Sequence, residues 1–310
     1  MTDQTLPEVV SADAVPAFGD ETGRSVALRR CTCGQENDLR ALFCVHCGAV
    51  LRQSAQAAPP TTQALPWGIA DVVIVGIGGL MLSFIPVIID ALLSGGIVQA
   101  VLQNKSVELP TGFMLRSVIF QNVVLVGVCF FWLWALRRQS ITALGLCRTH
   151  WRTWLWQGVG AGVVIFGLGE LIPYLTHHAL LSVGISSDDL HLLGEQSPQV
   201  KLIDSILKSS VPMKVFAVFV IAVVAPAGEE IFFRGFAYQG IRNRLGAKWG
   251  AVLSSLAFAA LHTNLPAFVA YFVLGLVLVW LFQRTQSLTA PILAHGVNNF
   301  ISVMILLMAR

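Results

Sequence analysis

Three short polar patterns interrupt apolar stretches in the last third of the chain. Each combines ionisable or amide side chains of the kind that hydrolytic sites use. The residues are Glu229, Glu230 and Arg234, then Phe258 and His262, then His295, Asn298 and Asn299. A charged side chain in mid-bilayer costs roughly 2.5–3.5 kcal/mol, so such groups usually face a protein interior or a wet cavity. The patterns therefore indicate a functional site.

The spacing within the first pattern separates its two carboxylates. A helix advances about 100° per residue, so Glu230 and Arg234 lie on nearly the same face, whereas Glu229 points elsewhere. We expect Glu230 and Arg234 to neutralise each other as an internal ion pair. Glu229 is then the carboxylate left to face a cavity and act as a general base on water.

The other two patterns add partners for that carboxylate. Phe258 and His262 share one helix face, as do His295 and Asn299. Two imidazoles, a carboxylate and an amide supply a base for water, a group to hold the water and donors for an oxyanion. Two imidazoles and one carboxylate are also a ligand set for zinc. The residues leave both chemistries open.

The order and spacing of the three patterns resemble a known family. Glu-Glu-x-x-x-Arg, Phe-x-x-x-His and His-x-x-x-Asn are similar to the motifs of the CPBP intramembrane proteases, which include CAAX prenyl endopeptidases and bacterial bacteriocin-processing or immunity proteins. The resemblance covers residues 212–310. It implies an endopeptidase acting on a membrane-associated protein or peptide, with either a metal-dependent or a glutamate-dependent mechanism.

The same resemblance implies individual roles. The catalytic set is Glu229, which would activate water, His262, which would assist, and His295 and Asn299, which would position water, a metal or the oxyanion. The supporting set is Glu230, Arg234 and Phe258.

Composition predicts the fold class. The 310 residues are 55% hydrophobic and 12% charged, which excludes an ordinary soluble protein and predicts an all-α polytopic membrane protein. A helix needs about 20 apolar residues to cross the hydrocarbon. We count seven runs, with the fifth short, at residues 72–89, 117–136, 153–176, 213–228, 249–261, 265–283 and 288–308.

Charge placement predicts the orientation. Basic residues lie between runs two and three, between runs four and five, and after run six. The positive-inside rule places these loops, and with them the N-terminus, in the cytoplasm. Residues 1–21 lack the apolar region of a cleavable signal. We expect an integral protein of a bacterial cytoplasmic membrane, in contact with lipid, with no nucleic-acid partner because the net charge is only +3.

Four of the six cysteines lie close together, as Cys31, Cys33, Cys44 and Cys47. Each pair is followed by glycine, which resembles the short zinc ribbon found at the ends of many bacterial membrane proteins. The first pair departs from the Cys-x-x-Cys-Gly form, since Arg30 stands where a cysteine is expected, and His46 is an alternative ligand. We expect a structural Zn²⁺ because so small a core could hardly fold without one.

These features divide the chain into four parts. Residues 1–25 are predicted to be a disordered tail, residues 26–51 the zinc-ribbon-like module, residues 52–65 a linker, and residues 66–310 the transmembrane protease domain. The motif-bearing core is residues 212–310. The module also offers a surface for a protein partner.

Two other functions stay open. One is a non-catalytic membrane interaction or immunity protein on the same scaffold. The other is a proton-coupled transporter using Glu170 and Glu229, which the lack of evident inverted repeats disfavours. Glu170 follows Gly-Leu-Gly, similar to the Gly-x-Gly-Asp of intramembrane aspartyl proteases, but the matching Tyr-Asp is missing. We therefore expect Glu170 to be a packing residue.

Overall fold

The structure is a computed structural model of the chain. It describes residues 18–19, 25–26, 28–30, 33–38, 46, 65–94, 109–146, 151–195 and 197–309. The chain divides into two compact units, Met1–Ala64 and Leu65–Arg310. The second unit contains all three polar patterns.

Two short antiparallel strand pairs are described in the first unit. They are β1 (Phe18–Gly19) with β2 (Ser25–Val26), and β3 (Leu28–Arg30) with β4 (Glu36–Asp38). Cys33 lies exposed between β3 and β4. Cys31, Cys44 and Cys47 lie outside the described residues, as does most of the predicted tail and linker. The zinc module therefore stays a prediction.

The second unit is built from helices, which confirms the all-α polytopic fold. In chain order they are α1 (Ile69–Ser83), α2 (Ile85–Ser94), α3 (Thr111–Phe131), α4 (Trp151–Ser182), α5 (Ser187–Glu195), α6 (Pro198–Leu207), α7 (Val211–Phe219), α8 (Ala225–Glu230), α9 (Gln239–Leu261), α10 (Phe268–Thr285) and α11 (Thr289–Met308). Further short turns are a 3₁₀ helix at Ile141–Leu144 and π-helical turns at Trp132–Leu136, Val220–Val224 and Ile231–Tyr238.

Six described segments are long and apolar enough to cross a bilayer. They are Ile69–Ile89, Thr111–Leu136, Trp154–Ser182, Val211–Leu261, Phe268–Thr285 and Thr289–Met308. The sequence predicts seven because residues 213–228 and 249–261 are counted as two runs. In the structure both runs fall within one segment, Val211–Leu261. These 51 residues would extend about 76 Å if straight, more than twice the hydrocarbon thickness. The helix is interrupted at Gly246, where φ is 80° and ψ is 170°, a conformation that favours glycine.

A buried carboxylate fixes the start of the first membrane helix. Asp71 Oδ2 accepts a hydrogen bond from the Gly68 amide at 2.8 Å, and its Oδ1 accepts from Trp132 Nε1 at 2.7 Å and from the Arg137 guanidinium. The first bond satisfies one of the amides that a helix N-terminus leaves unpaired. The start of α1 and the end of the segment containing α3 therefore lie on one side of the domain.

Helix α8, which carries both glutamates, lies between two π-helical turns. Such turns are rare and occur often at functional sites. The carbonyls of the second turn accept side-chain hydrogen bonds, Gly235 from Gln239 Nε2 at 2.6 Å and Phe236 from Trp67 Nε1 at 3.0 Å. The irregular backbone beside the glutamates is thus supported by side chains.

Helix α3 contacts α8 immediately before the two glutamates. The side chain of Asn122, which is 6% exposed, packs against Gly228 so closely that a Cβ there would overlap it. Asn122 Nδ2 donates to the Val118 carbonyl at 2.9 Å, and its Oδ1 has no hydrogen-bond partner among the described residues. The absence of a side chain at Gly228 therefore permits this helix contact.

Gly228→Ala should lower the stability of the detergent-solubilised protein by about 1–3 kcal/mol, because the added methyl group must displace Asn122 or α8. Thermal unfolding followed by tryptophan fluorescence measures the change. The matched control is Gly167→Ala on α4, where a Cβ meets no atom within 4 Å. The control should unfold at or slightly above the wild-type temperature. Equal unfolding temperatures for the two variants would contradict the packing account.

Candidate active site

The ion pair expected within the first pattern is present and fully buried. Arg234 Nη1 donates to Glu230 Oε1 at 2.7 Å, and the two side chains are 1% and 0% exposed. Arg234 Nη2 also donates to the Gly275 carbonyl of α10 at 3.2 Å. Charge-assisted hydrogen bonds of this kind offset part of the cost of removing both ions from water.

His295 of α11 lies between the two adjacent carboxylates. Its Nδ1 is 3.0 Å from Glu230 Oε1, and its Nε2 is 3.9 Å from Glu229 Oε2. A carboxylate oxygen only accepts hydrogen bonds, so Nδ1 is the donor to Glu230. In the neutral ring Nε2 is then an acceptor directed toward Glu229.

Glu229 differs from its neighbour because, among the described residues, it forms no ion pair with an arginine or lysine. Its side chain is 24% exposed, and Oε2 is buried without a hydrogen-bond partner among the described residues. Glu230 Oε2 also lacks a partner among the described residues, so the two carboxylates differ in the Arg234 counter-ion of Glu230 and in the partial exposure of Glu229. One carboxylate is therefore neutralised, and the other is available.

His262 is the C-cap residue of α9 and lies one residue beyond the apolar segment Val211–Leu261. Its Nδ1 donates to the Phe258 carbonyl at 2.8 Å, which leaves Nε2 as the acceptor of the neutral ring. Burial lowers the pKa of His262, and the charge of Glu229 opposes that effect. Since burial is the largest cause, the neutral imidazole is the form expected at neutral pH.

Phe258 brings the histidines and the buried cation together. Its ring centroid lies 4.5 Å from that of His262, 5.8 Å from that of His295 and 4.6 Å from the Arg234 guanidinium carbon. The ring itself is fully buried. An aromatic face attracts a nearby cation, so Phe258 also helps to hold Arg234.

Asn299 lies one helical turn beyond His295, but its side chain contacts another element. Its Nδ2 donates to the Ile221 carbonyl in the π-helical turn before α8 at 3.0 Å, and its Oδ1 accepts from Asn298 Nδ2 at 3.0 Å. The structure thus brings Glu229, Glu230 and His295 into one cluster. The side chain of Asn299 is instead hydrogen-bonded to the Ile221 carbonyl, next to that cluster.

Two nearby residues do not belong to any of the three patterns. Tyr271 of α10 stacks its ring on His262, and Asn122 of α3 contacts Gly228. Asn122 is the more visible of the two in the sequence, since an amide in the middle of an apolar run is costly unless satisfied. The position of Tyr271 in the sequence gives no sign of its contact with His262.

The described residues contain no compact group of metal-binding side chains. In the described parts of the chain, no three side chains of His, Cys, Asp and Glu are grouped so as to hold a metal ion. Glu230 Oε1 is shared by Arg234 and His295, and His262 Nδ1 is taken by a backbone carbonyl. A histidine that binds a metal commonly donates a hydrogen bond from its other ring nitrogen in this way, so the Nε2 atoms of His262 and His295 stay available as acceptors.

A cavity of about 710 Å³ lies beside the turn that follows His262. Its wall is formed by the second half of α4, by α5 and by that turn. The lining residues are Pro173, Thr176, His177, Leu180, Ser187, Asp188, Leu190, Asn264, Pro266 and Ala267. Most of these side chains are apolar or uncharged, as is usual for sites that bind ligands.

Two curated relatives match part of the chain. "Putative membrane peptidase YdiL" of Bacillus subtilis (strain 168) is 27% identical over 130 residues, 41% of this chain and 52% of the relative. "Uncharacterized 24.3 kDa protein" of Escherichia coli is 33% identical over 91 residues, 28% of this chain and 42% of the relative. The chain thus spans about half the length of these relatives. No solved structure matches it.

The family comparison covers the segment that contains all three patterns. Residues 211–301 match the family described as type II CAAX prenyl endopeptidase Rce1-like. That range runs from α7 into α11 and includes every residue of the cluster around Glu229. The resemblance predicted from the three motifs is therefore confirmed: residues 211–301 of this integral membrane protein are similar to the Rce1-like CAAX prenyl endopeptidases.

Proposed function

We propose that this chain is an intramembrane endopeptidase that hydrolyses a peptide bond of a membrane-associated protein or peptide. The proposal rests mainly on the different surroundings of the adjacent carboxylates Glu229 and Glu230. Glu230 is fully buried and neutralised by Arg234, whereas Glu229 is partly exposed, has no arginine or lysine ion pair among the described residues, and faces His295. A carboxylate in this setting is suited to take a proton from water. The match to the Rce1-like family and the relative named as a membrane peptidase support the same reaction class.

The geometry suggests a place for the hydrolytic water. Glu229 Oε2 and His295 Nε2 are 3.9 Å apart, which is too far for a direct hydrogen bond and suits a bridging water. Both atoms are acceptors when His295 is neutral, so one water would donate a hydrogen bond to each. A lone pair on the water oxygen would then be left for attack.

Hydrolysis needs a proton to move to Glu229 and then to the leaving group. In the proposed first step, the water oxygen bonds to the peptide carbonyl carbon while Glu229 takes the proton, and the carbonyl oxygen becomes an oxyanion. In the second step the carbon–nitrogen bond breaks, and Glu229 returns the proton to the amine. His262 assists as an acceptor for the amine N–H, because its Nε2 is not used by Phe258.

The oxyanion needs a donor, and Asn299 is our candidate. Its Nδ2 donates to the Ile221 carbonyl, so this role requires the amide to exchange that bond for one to the substrate. Loss of a single donor of this type typically costs about 10²–10³-fold in turnover. The cavity beside the His262 turn supports approach of a substrate segment from that end of α9.

We also propose an orientation in the membrane and a role for the first unit. Asp71 and Arg137 join the start of α1 to the end of the segment containing α3, so the start of α1 lies on the face that carries Arg137 and Arg138. The positive-inside rule makes that face cytoplasmic, in a bacterial membrane. We also propose that Cys31, Cys33, Cys44 and Cys47 hold a structural Zn²⁺ and that this module binds a protein partner.

Glu229→Gln should reduce cleavage by about 10²–10⁴-fold, the usual contribution of a general base, because the amide cannot take a proton from water. Quantitative proteomics of membrane fractions from cells producing the variant or the wild type measures the effect as an accumulated uncleaved precursor. Glu170→Gln is the matched control, since Glu170 is an exposed carboxylate on α4. Identical proteomes for wild type and Glu229→Gln, with a retained biological effect, would instead support a non-catalytic interaction or immunity protein.

Metal removal separates the proposed structural zinc from the proposed chemistry. The full chain should contain about one zinc per molecule, as one four-ligand site requires. A chain beginning at Leu65, the start of the second compact unit, should contain none and should still cleave the accumulated precursor in the presence of 1,10-phenanthroline. Elemental analysis and a cleavage assay measure the two results. Inhibition of the shortened chain by the chelator would show that the reaction needs a metal.

A further inference from the structure

Tyr271 contacts the active site from a helix that contains none of the three patterns. Its ring centroid is 4.1 Å from that of His262, and the two planes differ by 29°. Phe258, from α9, places a second ring 4.5 Å from the same imidazole. Tyr271 is therefore a direct neighbour of the residues proposed to act on substrate.

We propose that Tyr271 is a positioning residue that fixes the plane of the His262 imidazole. The hydrogen bond from His262 Nδ1 to the Phe258 carbonyl holds one atom of the ring, but the ring can still tilt about that atom. A stacked aromatic ring opposes this tilt and keeps Nε2 in one direction. The inference rests on the proposed function because it matters only if His262 acts on substrate.

The turn between α9 and α10 brings the two rings together. Thr263 has φ of 47°, in the left-handed region that a β-branched residue rarely adopts. Asn264 Oδ1 accepts from the Ala267 amide at 3.1 Å, and the Tyr271 amide donates to the Ala267 carbonyl at 3.0 Å. Backbone strain of this kind persists only where the surrounding structure imposes it. The tight turn therefore returns the chain so that Tyr271, in the first turns of α10, reaches His262.

The direct test measures His262 itself and needs no substrate. Tyr271→Phe keeps a ring, whereas Tyr271→Leu removes it, both in the full chain. Diethyl pyrocarbonate modification of His262, read by peptide mass spectrometry, should rise about three- to tenfold in Tyr271→Leu, the factor that corresponds to one aromatic pair. The rate should stay at the wild-type value in Tyr271→Phe. His177, an exposed residue of α4, serves as the internal standard.

The catalytic readout uses the precursor that accumulates in cells producing Glu229→Gln. Tyr271→Leu should lower kcat by about three- to tenfold with little change in KM, and Tyr271→Phe should retain the wild-type kcat. Tyr174→Leu is the matched control because it removes another tyrosine–histidine contact, the one with His178 at 4.4 Å. That control should change neither value.

Two results would overturn the proposal. One is an unchanged His262 modification rate in Tyr271→Leu, and the other is a Tyr271→Phe variant as impaired as Tyr271→Leu, which would assign the effect to the hydroxyl group. If Tyr271→Leu does not fold, Tyr271→Met, of similar size and also without a ring, replaces it. The modification assay reports on His262 without proteolysis. Failure of the protease function would appear separately, as an unchanged membrane proteome in Glu229→Gln cells.

Discussion

The complete burial of the Glu230–Arg234 ion pair is the constraint on which the site depends. Removing each ion from water costs several kcal/mol, and attraction offsets this only where the remaining polar atoms also find partners. Arg234 Nη2 donates to the Gly275 carbonyl, the guanidinium lies against the ring of Phe258, and Glu230 Oε1 accepts from His295. Arg234 Nε and Glu230 Oε2 have no hydrogen-bond partner among the described residues, so these contacts offset only part of the cost. These partners come from α9, α10 and α11, so three helices must converge on α8. The ion pair thereby determines how the site is assembled.

The parts of this arrangement that follow from local geometry could be predicted from the sequence. Four-residue spacing is enough to pair Glu230 with Arg234, and it also separates Glu229 from them. Apolar runs of sufficient length establish the all-α membrane fold. The number of membrane segments depends on whether the chain between two apolar runs is helical. The residues between the fourth and fifth predicted runs are themselves helical, with an interruption at Gly246, so the two runs form one segment and six are found in place of seven.

Contacts between helices could not be predicted, because helical periodicity gives the face of a residue and not its neighbour on another helix. His295 forms a hydrogen bond with Glu230, and Asn299 donates a hydrogen bond to the Ile221 carbonyl. The ring of Tyr271 stacks on that of His262. The π-helical turns on both sides of α8 have no sequence signature of their own. Gln121 and Asn122 stand together in an apolar run, where amides are costly unless satisfied, but only the structure shows that Asn122 is the buried one.

The central claim is that adjacent carboxylates have different tasks, Glu230 in structure and Glu229 in chemistry. Thermal unfolding of Glu229→Gln and Glu230→Gln in one detergent tests it most directly. Glu230→Gln leaves the Arg234 charge buried without its counter-ion and should lose about 3–5 kcal/mol. Glu229→Gln loses no ionic partner and should stay within about 0.5 kcal/mol of wild type. Equal destabilisation of the two variants, or a greater loss in Glu229→Gln, would contradict the division.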